Sequence, residues 1–451
     1  MLASEGEEPV PHLSTGAGFR ATLRETTSRK GEIDVDKVQL AIVGCGGMGR
    51  RHLAGLAELA TTGHNNVRLA AVCDLDQGRA EALAGEALSL LGERPQVFDD
   101  AARMAAEVDG LEAADCTVDT GVHHRVATDL LNLGLHTMCE KPLALTIRGC
   151  NQVIDAATRN DRVLSIAENF RRDPINRLVR ALLDDGAIGQ RQSIMETSVG
   201  GRNHLTITPW RHMKLRGALT LDAGVHNADI LQYYFGPATQ AYGQTRLFEK
   251  TRYKTDSTGP GGFYERWVGD FPDEITPTGE DAMFGVVSFA NDTVGQWTFN
   301  NAGHGQPFNH RMVFGTTGSI AAPGDRNGNP IRLVLDDGTD ISDERVLDHA
   351  PSYRLSPVAA DLFGGERVWT YDFDFVTTDR KIVALEYHEF AACIRTGAQP
   401  EVDGAVARRA VALVYALFES AVAGRPVTID EVESSAVDGY QREIDEHLGL
   451  V

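Results

Sequence analysis

Short apolar runs and helical stretches alternate along the chain from Val38 to about Phe170. The apolar runs are nearly continuous, which is typical of strands that are covered by helices on both faces of a sheet. Five strands are predicted on this basis: Val38–Val43, Val67–Cys73, Ala114–Val118, His136–Cys139 and Val163–Ala167. Apolar residues at helical spacing predict the intervening helices: Leu53–Leu59, Arg79–Leu91, Val126–Leu133 and Thr146–Ala157. Repeated strand–helix–strand units of this kind predict an α/β fold with a doubly wound parallel sheet.

The pattern changes after Pro174, where strands with turn signals follow one another. Six strands are predicted: Ser193–Val199, Ala241–Leu247, Ala282–Ala290, Thr293–Asn300, Arg311–Gly315 and Ile331–Leu335. Four helices accompany them: Ile175–Leu183, Asp222 to Phe235, Leu385–Thr396 and Ala405–Val422. This order favours an α+β domain with a large, mainly antiparallel sheet. The predicted organisation is an N-terminal arm (1–37), a doubly wound domain (38–172) and an α+β domain (173–451), with insertions near 255–280 and 324–368.

The first predicted strand ends in a Gly-x-Gly-x-x-Gly sequence, and a helix follows at once. Gly44 permits the tight turn out of the strand, Gly46 lets the backbone approach a pyrophosphate, and Gly49 lets the helix pack against the strand. The helix begins near Gly47 and Met48, where free N–H groups and the positive end of the dipole face the phosphates. These five positions predict a dinucleotide-binding turn.

Asp74 ends the second predicted strand. In a dinucleotide-binding unit, a carboxylate at this place accepts hydrogen bonds from the ribose diol and repels a 2′-phosphate. The sequence therefore favours NAD over NADP as the cofactor.

Composition and charge restrict the partners. The 451 residues are 42% hydrophobic and 24% charged, as is ordinary for a soluble globular protein. The net charge of −21 argues against nucleic acid and anionic membranes as partners. No apolar run approaches the ~20 residues of a membrane span, and the N-terminal arm lacks the apolar core of a signal peptide. The six cysteines show no Cys-x-x-Cys pair, which predicts reduced thiols in a cytoplasmic protein without a metal site.

Glu140, Lys141 and Pro142 follow the predicted strand His136–Cys139. Ligands bind outside the carboxyl ends of strands in doubly wound sheets, so Lys141 can face a cofactor there. Pro142 fixes the exit from the strand. A surface lysine beside a glutamate is the alternative interpretation.

Asp222, His226 and Asp229 have helical spacing, which predicts that they project from one face of a helix. A histidine next to a carboxylate is a candidate general base. Oxidation of an alcohol needs such a base, because the hydroxyl proton leaves as hydride departs from the same carbon. The alternative is a helix cap together with a structural histidine.

Asn169 and Arg171 lie at the predicted domain junction, a frequent place for ligand clefts. Arg171 could bind substrate hydroxyls or a carboxylate, or it could form an interdomain salt bridge. Arg211 belongs to a basic cluster over residues 211–216 that could recognise an anionic or polyhydroxy substrate, or could be a solvated loop.

The order of these motifs resembles the Gfo/Idh/MocA oxidoreductase family, which includes glucose–fructose oxidoreductase and inositol dehydrogenases. The resemblance covers roughly Val38 to Val427 apart from the insertions. Four motifs carry it: Gly44-x-Gly46-x-x-Gly49, Glu140-Lys141-Pro142, Asn169-x-Arg171-x-x-Pro174 and Asp222-x-Gly224-x-His226-x-x-Asp229.

The resemblance implies an N-terminal Rossmann domain and a C-terminal domain whose open sheet makes dimer or tetramer contacts. It implies that Lys141, Asp222 and His226 line the site, with Lys141 near both the nicotinamide and the substrate. His226 would then serve as the acid/base, and Asp222 would orient His226 or the substrate.

Two departures from the family pattern bear on the cofactor and the substrate. Members often have Thr-Pro beside the cofactor, where this chain has Val118–Gly121, with His123 in the usual histidine position. Thr120, His123 and Glu140 are the predicted cofactor contacts in this region, and Asp119 adds a negative charge. Residues 216–219 replace the usual Gly-rich approach to the helix that carries His226.

We predict an NAD-dependent dehydrogenase that oxidises a secondary hydroxyl of a sugar, glycoside or cyclitol, or reduces the matching keto-sugar. A homodimer or homotetramer is expected. One alternative is a redox-neutral enzyme that epimerises or eliminates through a keto intermediate with retained NAD. Another is a non-catalytic regulatory protein that binds NAD and sugar. The predicted substrate-binding residues are Lys141, Asn169, Arg171, Arg211, Asp222 and His226.

The insertion near 255–280 is rich in aromatic residues: Phe263, Tyr264, Trp267 and Phe271. Sugar C–H faces stack on aromatic rings, so this insertion is expected to cover a bulky glycoside or, alternatively, to pack at a subunit interface.

Overall fold

A computed structural model describes residues 37–256, 262 and 264–451. The predicted N-terminal arm lies outside the described residues except for Lys37, and Phe263 also lies outside them. Within the described part of the chain, no helix combines the length and the apolar character that crossing a membrane requires.

Six parallel strands form the first sheet, in the order β3-β2-β1-β4-β5-β6. The strands are β1 (Val38–Val43), β2 (Val67–Cys73), β3 (Gln96–Phe98), β4 (Ala113–Cys116), β5 (His136–Glu140) and β6 (Leu164–Ala167). The order reverses between β1 and β4, and ligands bind at such a switch point in doubly wound sheets. The predicted doubly wound parallel sheet is confirmed. The prediction missed β3, because three residues are too few to show a period.

Five helices connect these strands: α1 (Gly47–Ala60), α2 (Gln77–Leu91), α3 (Ala101–Glu107), α4 (His123–Asn132) and α5 (Ile147–Asn160). Side chains fix where several of them begin. Asp76 caps α2 by accepting hydrogen bonds from the N–H groups of Gly78 and Arg79. Gly92, in the left-handed conformation, ends the same helix.

The second sheet has nine strands in the order β16-β15-β14-β13-β7-β12-β11-β8-β17. They are β7 (Arg191–Gly201), β8 (Ala238–Arg246), β11 (Ala282–Phe289), β12 (Val294–Gly303), β13 (Phe308–Gly315), β14 (Gly318–Ala322), β15 (Arg332–Leu335), β16 (Asp340–Ile341) and β17 (Val427–Thr428). Strands β7 and β12 run parallel, and the other neighbours in this sheet are antiparallel. The prediction of a large, mainly antiparallel sheet is confirmed.

A separate two-stranded sheet pairs β9 (Arg252–Tyr253) with β10 (Glu274–Ile275). It closes the base of the insertion predicted near 255–280.

Eight helices accompany the second sheet: α6 (Pro174–Asp184), α7 (Ala218–Asp222), α8 (Gly224–Phe235), α9 (Pro357–Phe363), α10 (Phe375–Thr396), α11 (Gly404–Ala423), α12 (Ile429–Glu433) and α13 (Arg442–Leu448). Helix α11 packs on one face of the sheet, where Leu417 occupies the space that Gly243 and Gly285 leave open. The opposite face exposes apolar side chains, among them Met195, Tyr242 and Val286. Within the described residues, the sheet is therefore covered on one side and open on the other.

Two helix predictions need correction. The helix predicted over Asp222 to Phe235 is divided at Ala223, where the N–H of His226 bonds to the carbonyl oxygen of Ala223 three residues earlier. Helix α10 begins ten residues before its predicted start at Leu385. Its first turns bury the polar Thr378 and Asp379, which hid the helical period from a pattern based on apolar residues.

All six cysteines of the chain lie within the described residues, and each is free and buried. The predicted domain limits at 172 and 173 stay a prediction.

Candidate functional site

A cavity of about 870 Å³ opens where β1, β4 and β5 end and extends to the nine-stranded sheet. Gly46, Asp119 and Lys141 line it on the side of the parallel sheet, and His226 and Arg311 line it on the other side. The cavity thus lies at the switch point of the first sheet and joins the two halves of the predicted site.

The glycine turn leaves a space that suits a diphosphate. Gly44 has φ +103°, and a Cβ there would lie 2.7 Å from the carbonyl carbon of Thr117. A Cβ on Gly49 would lie 2.1 Å from the carbonyl oxygen of Gly44, whereas a Cβ on Gly46 would have no atom within 4 Å. Gly46, Gly47 and Met48 line the cavity.

The N-terminus of α1 is open toward the same space. No side chain of the described part of the chain caps this helix, and its first turn contains no acidic residue. Its N–H groups and the positive end of its dipole are therefore free to meet phosphate oxygens, and the residues present fit the pyrophosphate of NAD.

Asp74 does not line the cavity within the described residues, but it supports the glycine turn that does. Its Oδ2 accepts a hydrogen bond from the N–H of Cys45 (2.7 Å), and its Oδ1 accepts one from the N–H of Asp76 (2.8 Å). Each oxygen keeps a second lone pair, so the predicted contact with the ribose diol stays a prediction.

His123 and Thr120, both predicted beside the cofactor, line the cavity. The ring of His123 lies between two carbonyl oxygens, with Nδ1 2.8 Å from that of Pro142 and Nε2 3.1 Å from that of Val118. His123 therefore ties the loop after β4 to the turn that carries Lys141.

The two departures from the family pattern contact each other. Nη2 of Arg216 donates to Oδ1 of Asp119 at 2.6 Å. Asp119 also accepts a hydrogen bond from the N–H of Gly121 (2.9 Å). The negative charge that Asp119 adds to the cavity is thus balanced by a residue of the other departing segment.

Glu140 is buried at the end of β5 and holds the neighbouring lysine in place. Its Oε1 accepts a hydrogen bond from Nη1 of Arg51 (2.9 Å) and lies 3.0 Å from Nε2 of His52. Its Oε2 accepts a hydrogen bond from the N–H of Lys141 (2.9 Å). Burial raises the pKa of Glu140, but His52 and Arg51 outweigh burial and hold the pKa well below its usual range. Glu140 is therefore an ionised anchor.

Lys141 and Arg211 converge on Asp222. Nζ of Lys141 donates to the carbonyl oxygen of Asp222 (2.8 Å) and to its Oδ1 (3.2 Å), and Nε of Arg211 donates to Oδ2 (2.8 Å). Burial raises the pKa of Asp222, but Arg211 and Lys141 outweigh it and lower the pKa. Asp222 is an ionised carboxylate that positions two cations at the cavity.

His226 pairs with Glu168 and not with Asp222, so Glu168 is the carboxylate that orients the imidazole. Nδ1 of His226 lies 2.7 Å from Oε1 and 2.9 Å from Oε2 of Glu168. The imidazole stacks on the ring of Phe170, with centroids 4.2 Å apart and an interplanar angle of 5°. Because the predicted helix is divided at Ala223, Asp222 and His226 lie in different helices, although both line the cavity.

Burial lowers the pKa of His226, although Glu168 acts to raise it. Burial raises the pKa of Glu168, but the charge of His226 and their hydrogen bond outweigh burial and lower it. The pair at neutral pH is therefore a neutral imidazole that donates its Nδ1–H to a carboxylate. Nε2 remains as an acceptor.

Asn169 lines the cavity, and Arg171 does not. Oδ1 of Asn169 is buried without a hydrogen-bond partner among the described residues, so the site holds an open acceptor. Nε of Arg171 donates to Oδ2 of Asp229 (2.8 Å), and both side chains are buried. The structure does not bring Arg171 together with the other predicted substrate-binding residues, because its guanidinium is paired with Asp229 outside the cavity lining. The alternative, a salt bridge, is the arrangement present.

The sequence interpretation missed several polar residues that line the cavity or contact a lining residue. Glu168 directly follows β6, and a carboxylate at the end of a buried parallel strand was a usable signal. Glu196 accepts hydrogen bonds from Arg311 (2.5 Å) and Asn227 (2.7 Å), which come from distant segments. Arg326 comes from the second insertion, and its guanidinium carbon lies 4.9 Å from the centroid of the Phe170 ring.

Comparisons with known proteins agree with this geometry. Residues 38–168 match a model described as the oxidoreductase family with an NAD-binding Rossmann fold, and residues 176–321 match the GFO/IDH/MocA C-terminal domain. The chain belongs to the Gfo/Idh/MocA oxidoreductase family. The predicted family, its NAD cofactor and its oxidoreductase class are confirmed.

Two curated relatives align over most of this Gfo/Idh/MocA chain. A D-apiose dehydrogenase of Paraburkholderia graminis is 25% identical over 404 residues, which are 89% of this chain and 92% of the relative. An inositol 2-dehydrogenase of Rhizobium meliloti is 25% identical over 398 residues, 87% of this chain and 99% of the relative. Levoglucosan dehydrogenase in complex with NADH and L-sorbose has the same fold, with a TM-score of 0.68 and 20% identity over 88% of this chain and 100% of that one.

Proposed function

We propose that this chain is an NAD-dependent dehydrogenase that oxidises a secondary hydroxyl of a sugar, glycoside or cyclitol, or reduces the matching ketone. The observation that carries the proposal is one cavity wall with a neutral His226 held by Glu168 and a Lys141 held by Asp222. The open glycine turn lines the same cavity. The relatives named for D-apiose, inositol and levoglucosan support a polyhydroxy substrate.

His226 is the proposed base. Because Glu168 holds Nδ1, Nε2 is the nitrogen that takes the proton of the substrate hydroxyl. The carboxylate stabilises the imidazolium that forms, and the stacked Phe170 ring fixes the plane of the imidazole. In the reverse direction the same nitrogen returns the proton to the ketone oxygen.

Lys141 is proposed to hold the reacting oxygen. Its Nζ has two acceptors, both on Asp222, so a third N–H can reach the substrate. The positive charge of Nζ stabilises the alkoxide that develops as the proton leaves. Gly46, Gly47 and Met48 would hold the diphosphate of NAD, which would supply the acceptor for the hydride of the carbinol carbon.

The charges of the cavity favour a neutral substrate. Among the described residues, six lysine and arginine residues line it, and so do six aspartate and glutamate residues. Several of these cations are already paired, such as Arg311 with Glu196. A sugar acid would need a spare cation, whereas a neutral polyol needs the mixed donors and acceptors that are present. Asn169 and Arg211 are the proposed additional contacts for its hydroxyls.

The test is formation of NADH by the purified protein with a panel of sugars, methyl glycosides, sugar acids and inositols. The substitutions His226→Ala and Lys141→Met are expected to lower kcat/KM by about 10²- to 10⁴-fold on the best substrate. Lys250→Met, at an exposed lysine outside the cavity, is the control and is expected to behave as the wild type. Wild-type turnover in both site variants would overturn the mechanism.

The same assay separates the alternatives. Turnover of a sugar without added NAD, by protein that retains the nucleotide, would indicate the redox-neutral reaction. Binding of NAD and sugar without turnover across the panel would indicate the regulatory protein.

The open face of the nine-stranded sheet is the proposed interface of a homo-oligomer. Met195, Tyr242, Val286 and Val294 are each at least 39% exposed on neighbouring strands. Contiguous apolar surface of this kind marks protein contacts. A homodimer or homotetramer and a cytoplasmic location stay predictions.

A further inference from the structure

We propose that the cavity has a second subsite, beyond Lys141 and His226, that holds the second ring of a two-ring glycoside. Four aromatic side chains form its wall: Trp210, Tyr264, Trp267 and Phe271. This inference rests on the proposed function, because it names the class of substrate for that site.

The wall is built on a fixed base. Three of the four rings belong to the segment between β9 and β10, and the pairing of these strands closes the segment. Lys254 strengthens the closure: its N–H bonds to the carbonyl oxygen of Asp273 (2.8 Å) and its Nζ to that of Phe271 (3.0 Å). Strand β9 is in turn anchored by the fully buried Arg252, which donates to the carbonyl oxygens of Arg202 and His204.

The aromatic wall adjoins the reacting groups. The guanidinium carbon of Arg211 lies 4.2 Å from the centroid of the Trp210 ring and 5.2 Å from that of Tyr264. Arg211 bonds to Asp222, and Asp222 holds Lys141. The wall is therefore three consecutive contacts away from the ammonium group proposed to hold the oxidised carbinol.

Within the described residues, the three rings of the insertion are not fully buried. Tyr264, Trp267 and Phe271 are each only partly buried although they line the cavity. Within the described residues their tightest mutual contact is the Tyr264–Trp267 pair, with centroids 6.0 Å apart. Partly exposed rings at a cavity offer flat apolar faces, and the axial C–H groups of a pyranose match such faces.

Polar side chains at the same wall suit a sugar better than an aryl group. Asp270 lines the cavity and is exposed, and Thr208 lines it while its hydroxyl accepts a hydrogen bond from Arg211 (3.1 Å). Aromatic faces with hydrogen-bonding groups at their edges match a ring that is apolar on its faces and polar at its rim. The second unit is thus assigned as a sugar ring.

Steady-state kinetics with matched substrates test this assignment. NAD reduction is measured with glucose against cellobiose and maltose, galactose against melibiose, and xylose against xylobiose. The wild type is expected to show a kcat/KM about tenfold or more higher for at least one two-ring substrate than for its one-ring counterpart. Trp267→Ala is expected to remove this advantage through KM, with one-ring kinetics changed less than about twofold.

Controls exclude a general effect on the insertion. Val268 lies on the same short helical turn as Trp267 and does not line the cavity, so Val268→Ala is expected to keep the two-ring preference. Trp267→Phe is expected to restore most of it, and thermal melting checks that each variant is folded.

Three results would overturn the inference, and they differ in what they mean. Equal kcat/KM for one-ring and two-ring sugars in an active wild type would overturn the subsite alone. Equal losses for both classes in Trp267→Ala would do the same, by assigning the ring a structural role. No turnover of any ring alcohol by the wild type would overturn the proposed function, and the subsite with it.

Discussion

At the residue scale, the site divides its two central groups between separate carboxylates. Glu168 holds His226, and Asp222 holds Lys141 together with Arg211. Burial keeps the imidazole neutral although Glu168 acts to raise its pKa, and Lys141 stays next to the carboxylate of Asp222. The two carboxylates can be tested independently, because a substitution of Glu168 affects the proposed base and a substitution of Asp222 affects the lysine.

The substitution Glu168→Gln is expected to lower kcat by about 10²-fold, since the imidazolium that forms during oxidation loses its stabilising charge. Glu168→Gln is also expected to shift the pH dependence of kcat/KM. The charge of Glu168 raises the pKa of His226, so its removal lowers that pKa further below the usual range. In the wild type, kcat/KM for oxidation is expected to rise with pH as His226 loses its proton, with the midpoint below 6.5. In the variant this midpoint moves to lower pH.

Glu196→Gln is the matched control, because Glu196 is a buried cavity carboxylate whose hydrogen bonds go to Arg311 and Asn227. Its midpoint is expected to equal that of the wild type. A midpoint that stays in place in Glu168→Gln would show that another group sets the profile.

At the scale of elements, the glycine turn needs a particular backbone conformation at one position and open space at another, and substitutions can test the two separately. Gly44 is needed for the chain to turn, whereas Gly46 is needed only for the space outside the turn. Gly46 has φ −79°, which any residue adopts, and a Cβ there meets no atom within 4 Å.

Gly46→Ala is therefore expected to keep the Tm of the cofactor-free protein and to weaken NAD binding by about tenfold or more. Gly44→Ala is expected to lower the Tm itself, because the backbone has φ +103° and the new Cβ would lie 2.7 Å from Thr117. Calorimetric titration with NAD and thermal melting measure the two effects. Unchanged NAD affinity in Gly46→Ala would show that the phosphates of NAD do not bind at this turn.

Helix α10 carries a buried acid that makes stability depend on pH. Glu386 is 3% exposed, and burial raises its pKa to about 8 from a reference value of 4.5. Its contribution to the free energy of unfolding is fully present below about pH 4.5 and is lost as the pH rises through 8, since the folded state holds the proton longer.

Glu386→Gln removes this dependence, so the fall in Tm between pH 5 and pH 8 is expected to be smaller by about 2–4 °C in the variant. The exposed Glu446→Gln is the control and is expected to keep the wild-type slope. Parallel melting curves for wild type and Glu386→Gln at both pH values would contradict a raised pKa at this position.

At the scale of the whole molecule, the nine-stranded sheet has one covered face and one apolar open face. A large apolar face left in water favours association, and self-association buries it against an identical face. We expect the protein in solution to be at least a dimer through this surface.

Val286→Lys places a charge in the centre of the open face, where Val286 is 48% exposed. Burial of an unpaired lysine at the interface is costly, so this variant is expected to elute as a monomer in size-exclusion chromatography with light scattering. Val422→Lys, at a residue 59% exposed on α11, is expected to keep the wild-type mass. A wild type that is itself monomeric would exclude the proposed interface.

The sequence by itself determined the local parts of this protein. The strand–turn–helix at Gly44–Gly49, the positions of Lys141 and His226 and the two kinds of sheet follow from residues a few positions apart. Apolar periodicity and turn chemistry act over this range, so one chain suffices to predict them. Strand β3 was not predicted because three residues are too few to show a period. The start of α10 was not predicted because its buried residues are polar.

Only the tertiary structure decided which charges meet. Glu168 and His226 are 58 residues apart, and Asp119 and Arg216 are 97 apart. The tertiary structure also pairs Arg171 with Asp229 and places Tyr264 and Trp267 in the cavity wall. Such pairings depend on how separate segments pack, and the free energy of an ion pair depends on the burial that this packing creates. A spacing along the chain, such as that of Asp222 and His226, does not show how separate segments pack or how deeply an ion pair is buried.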